Sequence, residues 1–256
     1  MTVTRRDVVL AIDTSTRRAA VAAGTETGEL LAERSWDCGF RHGQEVLATL
    51  DRLLARSGVD LGRVGALVVG TGPGAFTGLR VGMATAKALA HGLGCRIVGI
   101  PSTLALADAA GRIEDFAGRL EDFGSAGASA EMTLIMPAGP HDRYVARYRW
   151  LGESVEPEDV GGPRLIAEAD VPGVVAAAGR FMVAMDLAIG GSIDARSVEI
   201  GRCAQAGLGA ALLRLGCGRL ARGDLDDLAG LVPAYVTLPR GIARESGEIA
   251  WSSDRR

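Results

Sequence analysis

The first third of the chain alternates short apolar runs with polar turn residues. Runs of this length between turns are typical of β-strands, and three in close succession predict an antiparallel meander. The predicted strands are Val8–Asp13, Ala19–Ala23 and Leu30–Trp36. A helical pattern follows and ends at Gly58, a residue suited to close a helix. Its apolar positions are Val46, Leu47, Leu50, Leu53 and Leu54.

Strand and helix patterns then alternate up to about residue 107. A buried type of strand at Ala66–Thr71 leads into a glycine-rich loop, Gly72–Gly78. The loop opens a helix over residues 79–91, and Cys95–Gly99 has the pattern of another strand. A meander followed by helix, strand, helix and strand predicts an α/β unit.

The second half repeats these signals more weakly. Residues 101–123 have a helical pattern containing a near-repeat that starts at Gly111 and again at Gly118, and residues 124–130 are linker-like. A helix over residues 197–215 is expected to stop at Gly216. Strand patterns occur at Met132–Met136 and Tyr144–Trp150, and further apolar runs at Val174–Ala178 and Phe181–Met185. The longest apolar stretch, Val174–Ile189, has the pattern of a strand with flanking turns. We expect two related α/β units in tandem, residues 1–107 and 131–256, joined by a helical extension and linker at 108–130.

The composition says little about the fold, but it argues against several classes of function. The chain has 256 residues, and 28 Lys and Arg against 31 Asp and Glu give a net charge of −3, with only 4% aromatic residues. A broad nucleic-acid surface usually has the opposite charge balance, and stacking on single strands needs more aromatic rings. No apolar run has the pattern of an export signal or a bilayer span. The four cysteines form no C-x-x-C pair, so a reduced, cytoplasmic protein is expected.

A polar turn, Asp13, Thr14, Ser15 and Thr16, separates the first two predicted strands. Backbone N–H groups and hydroxyls in such a turn suit a phosphate, and Asp13 could hold a metal-bound water. The simpler alternative is that these side chains bond to their own backbone. Both interpretations stay open at this point.

The glycine-rich motif consists of Gly72, Pro73, Gly74, Phe76, Thr77, Gly78 and Arg80. It lacks the Gly-Lys-Ser/Thr of a Walker loop, and no acidic residue ends the next strand as in a dinucleotide site. We therefore expect the glycines to allow close backbone approach and positive φ angles, and Arg80 to support the loop or a partner. Small residues recur every four positions in the following helix and predict close helix contact. They are Gly78, Gly82, Ala86 and Ala90.

Metal and nucleophile signatures are weak in this sequence. The three histidines, His42, His91 and His141, are not spaced with a second His or a Cys for metal binding, and no G-x-S-x-G elbow is visible. We therefore expect no metal site and assign no catalytic residue.

Three segments resemble the TsaB (YeaZ) family. They are Leu10–Thr16, His42–Glu45, and Gly70–Gly82 with its continuation through residues 86–103. The similarity is strong over residues 8–107 and specific in the Gly-Pro-Gly-x-Phe-Thr-Gly-x-Arg run. It is faint over 131–240, where Tyr144–Tyr148 and the closing Pro233-Ala-Tyr-Val resemble the family's second domain and tail.

The resemblance implies a fold of two tandem domains of the actin/Hsp70/sugar-kinase type (ASKHA, RNase H-like). It also implies a non-catalytic scaffold role in making N6-threonylcarbamoyladenosine at adenosine 37 of tRNA. The implied partners are TsaD, the catalytic subunit, and the ATPase TsaE, with tRNA contacted only through the complex and no membrane. In isolation the same helices are expected to form a homodimer. The predicted interface residues are His42, Glu45, Leu50, Gly82, Ala86 and Ala90.

The chain also departs from the family pattern. Pro137, Ala138 and Gly139 stand where the second domain usually carries Asp-Ala-Arg, and the H-x-x-x-H pair of TsaD-like enzymes is missing. Gly190-Gly191 is a weak signal for an adenosine-side loop. No cofactor is therefore expected, with weak ATP or ADP binding only inside the complex. The alternatives are a small-molecule kinase or ATPase that uses Asp13 and, further off, a metallopeptidase-like protein.

Overall fold

A computed structural model describes residues 6–39, 41–113, 129–151, 156–178, 181–188 and 190–235. Its first sheet has the strand order β3-β2-β1-β4-β5. The strands are β1 (Val8–Asp13), β2 (Arg18–Thr25), β3 (Leu30–Asp37), β4 (Val64–Gly70) and β5 (Arg96–Ile100). The first three form the antiparallel meander predicted from the sequence, while β4 and β5 run parallel to β1.

Two long helices cover one face of this sheet. Helix α1 (His42–Ser57) ends at Gly58, whose φ of 65° is the left-handed conformation that favours glycine, as predicted. Helix α2 (Phe76–Leu93) begins directly after the glycine-rich loop and ends at Gly94 in the same conformation. A short 3₁₀ turn, Leu61–Arg63, precedes β4, and α3 (Ser102–Gly111) follows β5.

The second sheet has the order β8-β7-β6-β9. Its strands are β6 (Ser129–Pro137), β7 (Asp142–Leu151), β8 (Glu158–Ala167) and β9 (Met182–Ala184). Strands β6, β7 and β8 are antiparallel neighbours, and β9 runs parallel to β6. The second sheet therefore repeats the order and directions of β3-β2-β1-β4.

One large core joins the two sheets. Helices α5 (Ala195–Ala206) and α6 (Leu208–Ala221) lie between them together with α3. The largest buried cluster combines residues of β1, β4 and β5 with residues of β6, β7, α3 and α6, for example Val68, Leu134 and Leu212. Helix α6 packs on the first sheet although it lies inside the range 131–256.

Two expectations for the second half were wrong, and one strand was not predicted. Residues 174–177 belong to a helix, α4 (Val171–Ala177), preceded by a 3₁₀ turn at Glu168–Asp170, because Val-Pro at its start favours a first helical turn. Strand β8 was missed because its glycines and proline dilute the apolar pattern. The helix expected over 197–215 divides at Gly207, and Gly216 does not end it. A Cβ at Gly216 would overlap with the Val68 side chain, so this glycine lets α6 approach β4.

Most of the seven-residue near-repeat lies outside the described residues, as does the chain after Tyr235. The described helices include none long and apolar enough to cross a lipid bilayer.

Candidate functional site

A cleft of about 760 Å³ opens between the two sheets. Its volume falls in the range of small-molecule sites. One wall is formed by residues Ser15, Thr16 and Arg17 and by the start of α2. The other wall carries Met136–Gly139, Tyr144 and Asp186, and Ala234 and Tyr235 lie at its margin. The predicted turn and glycine-rich motif thus meet at one place in the fold.

Asp13 itself is turned away from this cleft into the protein. Its side chain is fully buried and is not among the lining residues. One carboxylate oxygen accepts hydrogen bonds from the backbone N–H and the hydroxyl of Ser15, both at 2.7 Å. The other accepts from the Ser102 hydroxyl at 2.5 Å. Asp13 therefore fixes the turn and ties β1 to the start of α3, which is the structural interpretation of the motif.

The glycine-rich loop closes over this turn. A Cβ at Gly70 would overlap with Asp13 Oδ2, and one at Gly74 would overlap with the Ser15 carbonyl oxygen. The Ala75 N–H donates to that same carbonyl at 2.7 Å. Among the motif's glycines only Gly72 has a left-handed backbone, with φ of +100°, and the Gly72-Pro73 peptide is cis. Close approach therefore explains Gly74, and the expected positive φ applies to Gly72 alone.

The small-residue stripe of α2 faces the interior of the protein. Leu50, Ala86 and Ala90 are almost completely buried against the chain's own core. A Cβ at Gly82 would overlap with the Thr14 hydroxyl, whose proton goes to the Gly78 carbonyl at 2.7 Å. Gly82 thus brings α2 against the Asp13 turn, while Ala86 and Ala90 lie in one buried cluster with Leu50 of α1.

The other two predicted interface residues stand at the start of α1. The His42 side chain lies outside the described set. Glu45 accepts a hydrogen bond from the Trp36 ring N–H at 2.9 Å and pairs with Arg41 at 3.0 Å. The neighbouring Cys38 thiol has its pKa raised, chiefly by burial and then by the Glu45 charge. Glu45 therefore holds α1 onto β3.

The side chains that do lie outward form a separate surface. Leu47 is 53% exposed, and Gly43 one turn earlier lies beside Val81, since a Cβ there would be 4.0 Å from Val81 Cγ2. Ala84 and Ala88 continue this exposed side of α2 at helical spacing. We call these five residues the outer helical face. It is apolar and adjoins the buried stripe predicted from the sequence.

An aromatic and cationic cluster stands at the cleft margin. The Arg80 guanidinium lies 3.8 Å from the centre of the Phe76 ring, and the Tyr235 ring is 5.2 Å from the same ring. Arg80 Nε also donates to the Tyr235 hydroxyl at 3.2 Å. Arg80 thus connects the glycine-rich motif to Tyr235, the last described residue.

Asp186 is a cleft residue that sequence reasoning missed. It follows β9 with a φ of 49°, the sole non-glycine residue with a left-handed backbone among those described. Its carboxylate accepts from the Arg17 backbone N–H at 3.3 Å, across the cleft. The sequence signal that could have identified it is an acidic residue inside the apolar stretch 174–189. Opposite the Asp13 turn, Pro137, Ala138 and Gly139 supply no carboxylate.

Within the described ranges no group of three His, Cys, Asp or Glu side chains comes together in a way that could hold a metal ion. His91 and His141 are exposed and far apart in the chain. All four cysteines are free thiols.

A family model described as "TsaD: tRNA N6-adenosine threonylcarbamoyltransferase" matches residues 38–229, which is more than half of the chain. The "tRNA threonylcarbamoyladenosine biosynthesis protein TsaB" of Haemophilus influenzae is 41% identical over 106 residues, covering 40% of this chain and 42% of that relative. The protein of the same name from Escherichia coli is 36% identical over 104 residues, covering 41% of this chain and 44% of that one. The matched part of this chain thus spans less than half the length of either relative.

A solved structure, "YeaZ from Pseudomonas aeruginosa", superimposes with a TM-score of 0.66 at 23% identity, covering 90% of this chain and 99% of that one. This likeness extends the shared mixed α/β fold beyond the segment matched in sequence. The named relatives and the family model support one conclusion: the chain belongs to the TsaB (YeaZ) family of tRNA threonylcarbamoyladenosine biosynthesis proteins.

Proposed function

We propose that this protein is a non-catalytic scaffold subunit that activates a TsaD-type threonylcarbamoyltransferase in making N6-threonylcarbamoyladenosine at adenosine 37 of tRNA. TsaD would be its direct partner, TsaE would join them, and tRNA would be bound only through the complex. The chain would need no metal or cofactor of its own, with weak ATP or ADP binding only inside the complex. It would act in the cytoplasm, a compartment in keeping with its four free thiols.

The observation that carries this proposal is the position of Asp13. The carboxylate that a kinase or ATPase of this fold would use is fully buried, and both of its oxygens accept hydrogen bonds from serine groups of the same chain. A carboxylate in that state stabilises the turn and cannot reach a substrate in the cleft. The reading of Asp13 as a structural residue therefore favours a scaffold over an enzyme.

The proposed contact surface is the outer helical face of α1 and α2. Its exposed leucine and small side chains would allow the helices of a partner to approach closely. A specific interface of this kind buries on the order of 1,600 Å² in total. In the absence of TsaD, the same face would pair two copies of this chain about a two-fold axis.

We further propose that the fold consists of two tandem ASKHA-type domains of common ancestry. The repeated strand order and directions of the two sheets support this. The second unit would be degenerate, because Pro137, Ala138 and Gly139 replace its phosphate-loop residues. Residues 1–107 and 131–256 remain the proposed ranges, with α6 of the second range crossing to the first sheet.

The scaffold role can be tested with matched leucine variants. Leu47→Glu places a charge on the outer helical face, while Leu165→Glu changes another exposed leucine, on β8. We expect Leu47→Glu to weaken binding to the host's TsaD more than tenfold, as at a hot spot, and to lower the yield of modified tRNA in the reconstituted reaction. Leu165→Glu should behave like the wild type in both measurements.

The rival functions make different predictions for the isolated chain. A small-molecule kinase or ATPase would hydrolyse ATP alone and lose this activity in Asp13→Asn. A metallopeptidase-like protein would retain a stoichiometric metal after purification. Stimulation of TsaD that survives in Leu47→Glu would contradict the proposed contact surface.

A further inference from the structure

We propose that Arg80 is the residue with which the outer helical face recognises a carboxylate side chain of the TsaD-type partner. That recognition rests on the proposed scaffold function, because the partner is the same enzyme. It adds the chemical group that the partner must present and the place where it binds, beside the first turns of α2.

Arg80 stands at the border of the outer helical face. It directly precedes Val81 and lies one helical turn before Ala84, and both of these residues belong to that face. The Arg80 side chain is exposed and reaches back over the Phe76 ring at the start of α2. A protein that covered Val81 and Ala84 would therefore come within reach of the guanidinium.

The Arg80 side chain is held in place from two sides. Its guanidinium carbon lies 3.8 Å from the centre of the Phe76 ring, and its Nε donates to the Tyr235 hydroxyl at 3.2 Å. The two rings are 5.2 Å apart and support each other. An exposed arginine is ordinarily mobile and loses side-chain entropy when a partner immobilises it. Part of that loss has already occurred in the isolated chain, so binding to Arg80 costs less.

The outer end of the guanidinium is unused in the described part of the chain. Tyr235 takes Nε, and among the described residues none accepts from Nη1 or Nη2. Arg17, by contrast, pairs with Asp37 at 3.1 Å. The N–H groups of the two Nη atoms match the two oxygens of one carboxylate or phosphate, a geometry that lysine lacks. Arg80 therefore presents a rigid bidentate donor to an anion outside the chain.

The surroundings of Arg80 favour a protein carboxylate over a nucleic-acid phosphate. A surface that follows a phosphate backbone needs several cations. Lys87, two turns further along α2, directs its ammonium to the Ala229 and Leu231 carbonyls, each at 3.1 Å. The adjoining outer helical face is apolar, which suits the side chains of a protein partner. An ion pair beside such a contact fixes the orientation of the partner and its identity.

Binding of the full-length chain to the host's TsaD measures the role of Arg80. Arg80→Gln removes the charge, and we expect the dissociation constant to rise more than tenfold, as at a hot spot. Arg80→Lys keeps the charge without the planar fork and should recover only part of the affinity. Arg164→Gln changes an exposed arginine on β8 and should bind like the wild type.

Charge and salt dependence separate recognition from a purely structural role. Arg80→Glu should bind more weakly than Arg80→Gln, and an Asp→Arg or Glu→Arg change at the facing position of TsaD should restore its binding. The affinity of the wild type should fall more steeply with salt than that of Arg80→Gln, which lacks the ion pair. Tyr235→Phe keeps the ring but removes the acceptor of Nε, so it should weaken binding by about threefold through lost preorganisation.

Wild-type affinity in Arg80→Gln would overturn the role of Arg80, and Leu47→Glu would still decide whether the outer helical face is the contact surface. A weaker Arg80→Gln with unchanged salt dependence would also overturn it, because no charge would then be involved. So would normal TsaD binding with weaker tRNA binding by the complex, since the acceptor would then be a phosphate. Loss of self-association alone would identify a second copy as the partner and would likewise contradict the assignment.

Discussion

At the scale of single residues, Gly70 shows how one missing methyl group allows the Asp13 turn to form. Any side chain at this position would overlap with Asp13 Oδ2 and would come 2.7 Å from the Ser102 hydroxyl. The alternatives are displacement of β4 or loss of the Asp13–Ser102 hydrogen bond. Loss of the hydrogen bond leaves a buried carboxylate short of a donor, and displacement of β4 disturbs the packing of a fully buried strand. Both changes are costly in a protein.

Gly70→Ala should therefore destabilise the protein by about 3 kcal/mol or more, lowering the melting temperature by roughly 6–12 °C. Gly92→Ala is the matched control, because its Cβ would meet nothing within 4 Å and the site is helical. That change should instead stabilise by about 0.5–1 kcal/mol. Thermal unfolding followed by circular dichroism measures both. A melting temperature unchanged by Gly70→Ala would show that the contact is not as tight as the structure has it.

The residues of this turn could be predicted from sequence, but their role could not. A cluster of Asp, Ser and Thr between two strands indicates either a phosphate loop or a turn that bonds to itself. The deciding partner is Ser102, which lies 89 positions along the chain. The same limit applies to Asp186 and Tyr235, which reach the cleft through tertiary structure alone.

At the scale of secondary-structure elements, α5 illustrates how a helix start depends on one side chain. Asp194 precedes the helix, and its carboxylate accepts from the Ser197 backbone N–H at 2.7 Å. That hydrogen bond is the main cause of the lowered pKa of Asp194. The cap therefore stabilises the fold at neutral pH and loses its contribution as the pH falls through the lowered pKa.

We expect Asp194→Ala to cost about 1 kcal/mol at pH 7, a fall of roughly 2–4 °C in melting temperature. Asp194→Asn keeps a side-chain oxygen for the Ser197 N–H and should cost less. The gap between wild type and Asp194→Ala should narrow as the pH is lowered through the Asp range. A gap that stays constant with pH would rule out the charged cap as its source.

Strand β3 carries a carboxyl group, Glu33, whose pKa is raised, whereas that of Asp194 is lowered. Burial raises the pKa of Glu33, outweighing its hydrogen bond from the Ala210 N–H, 2.9 Å long, and the charge of Arg214. The folded protein therefore holds this proton more tightly than the unfolded chain. Between the ordinary and the raised pKa, stability must fall as pH rises.

Glu33→Gln removes this ionisation while keeping an acceptor for Ala210. We expect the difference in melting temperature, variant minus wild type, to increase as the pH rises from about 4 to 7. Glu29→Gln, an exposed change just before the same strand, controls for the loss of one surface charge. The idea fails if both variants shift in parallel at every pH.

Prediction of the helices and strands was most accurate where the apolar pattern agreed with the residues that end each element. The meander, α1 with Gly58 and the strand–loop–helix around residue 76 are such cases. It was least accurate in α4, where a run of valines and alanines suits a strand as well as a buried helix. Periodicity cannot separate the two in so short a run, and the proline near its start was the better signal.

At the scale of the whole molecule, the shared core is expected to make the two sheets unfold together as one unit. Leu212 of α6 is fully buried in the cluster shared by both sheets. The Tyr148 hydroxyl of β7 donates to Thr103 of α3 at 2.8 Å, and Arg214 of α6 pairs with the buried Asp108 of α3 at 2.5 Å. A chain predicted as two tandem units is therefore expected to unfold as one, because neither sheet keeps its covering helices if the other is lost.

Two tryptophans make this expectation measurable. Trp36 reports on the first sheet and Trp150, packed against Gly111 of α3, on the second. In a Trp251→Phe background, single-tryptophan variants should show the same urea midpoint by fluorescence, and it should match the midpoint by circular dichroism. Leu212→Ala should lower the free energy of unfolding by about 2–5 kcal/mol and so lower both fluorescence midpoints together. Leu165→Ala at an exposed site should move neither midpoint. Since Leu212 belongs to a helix on the first sheet, a Trp150 midpoint that stayed fixed while that of Trp36 fell would show two separate folding units.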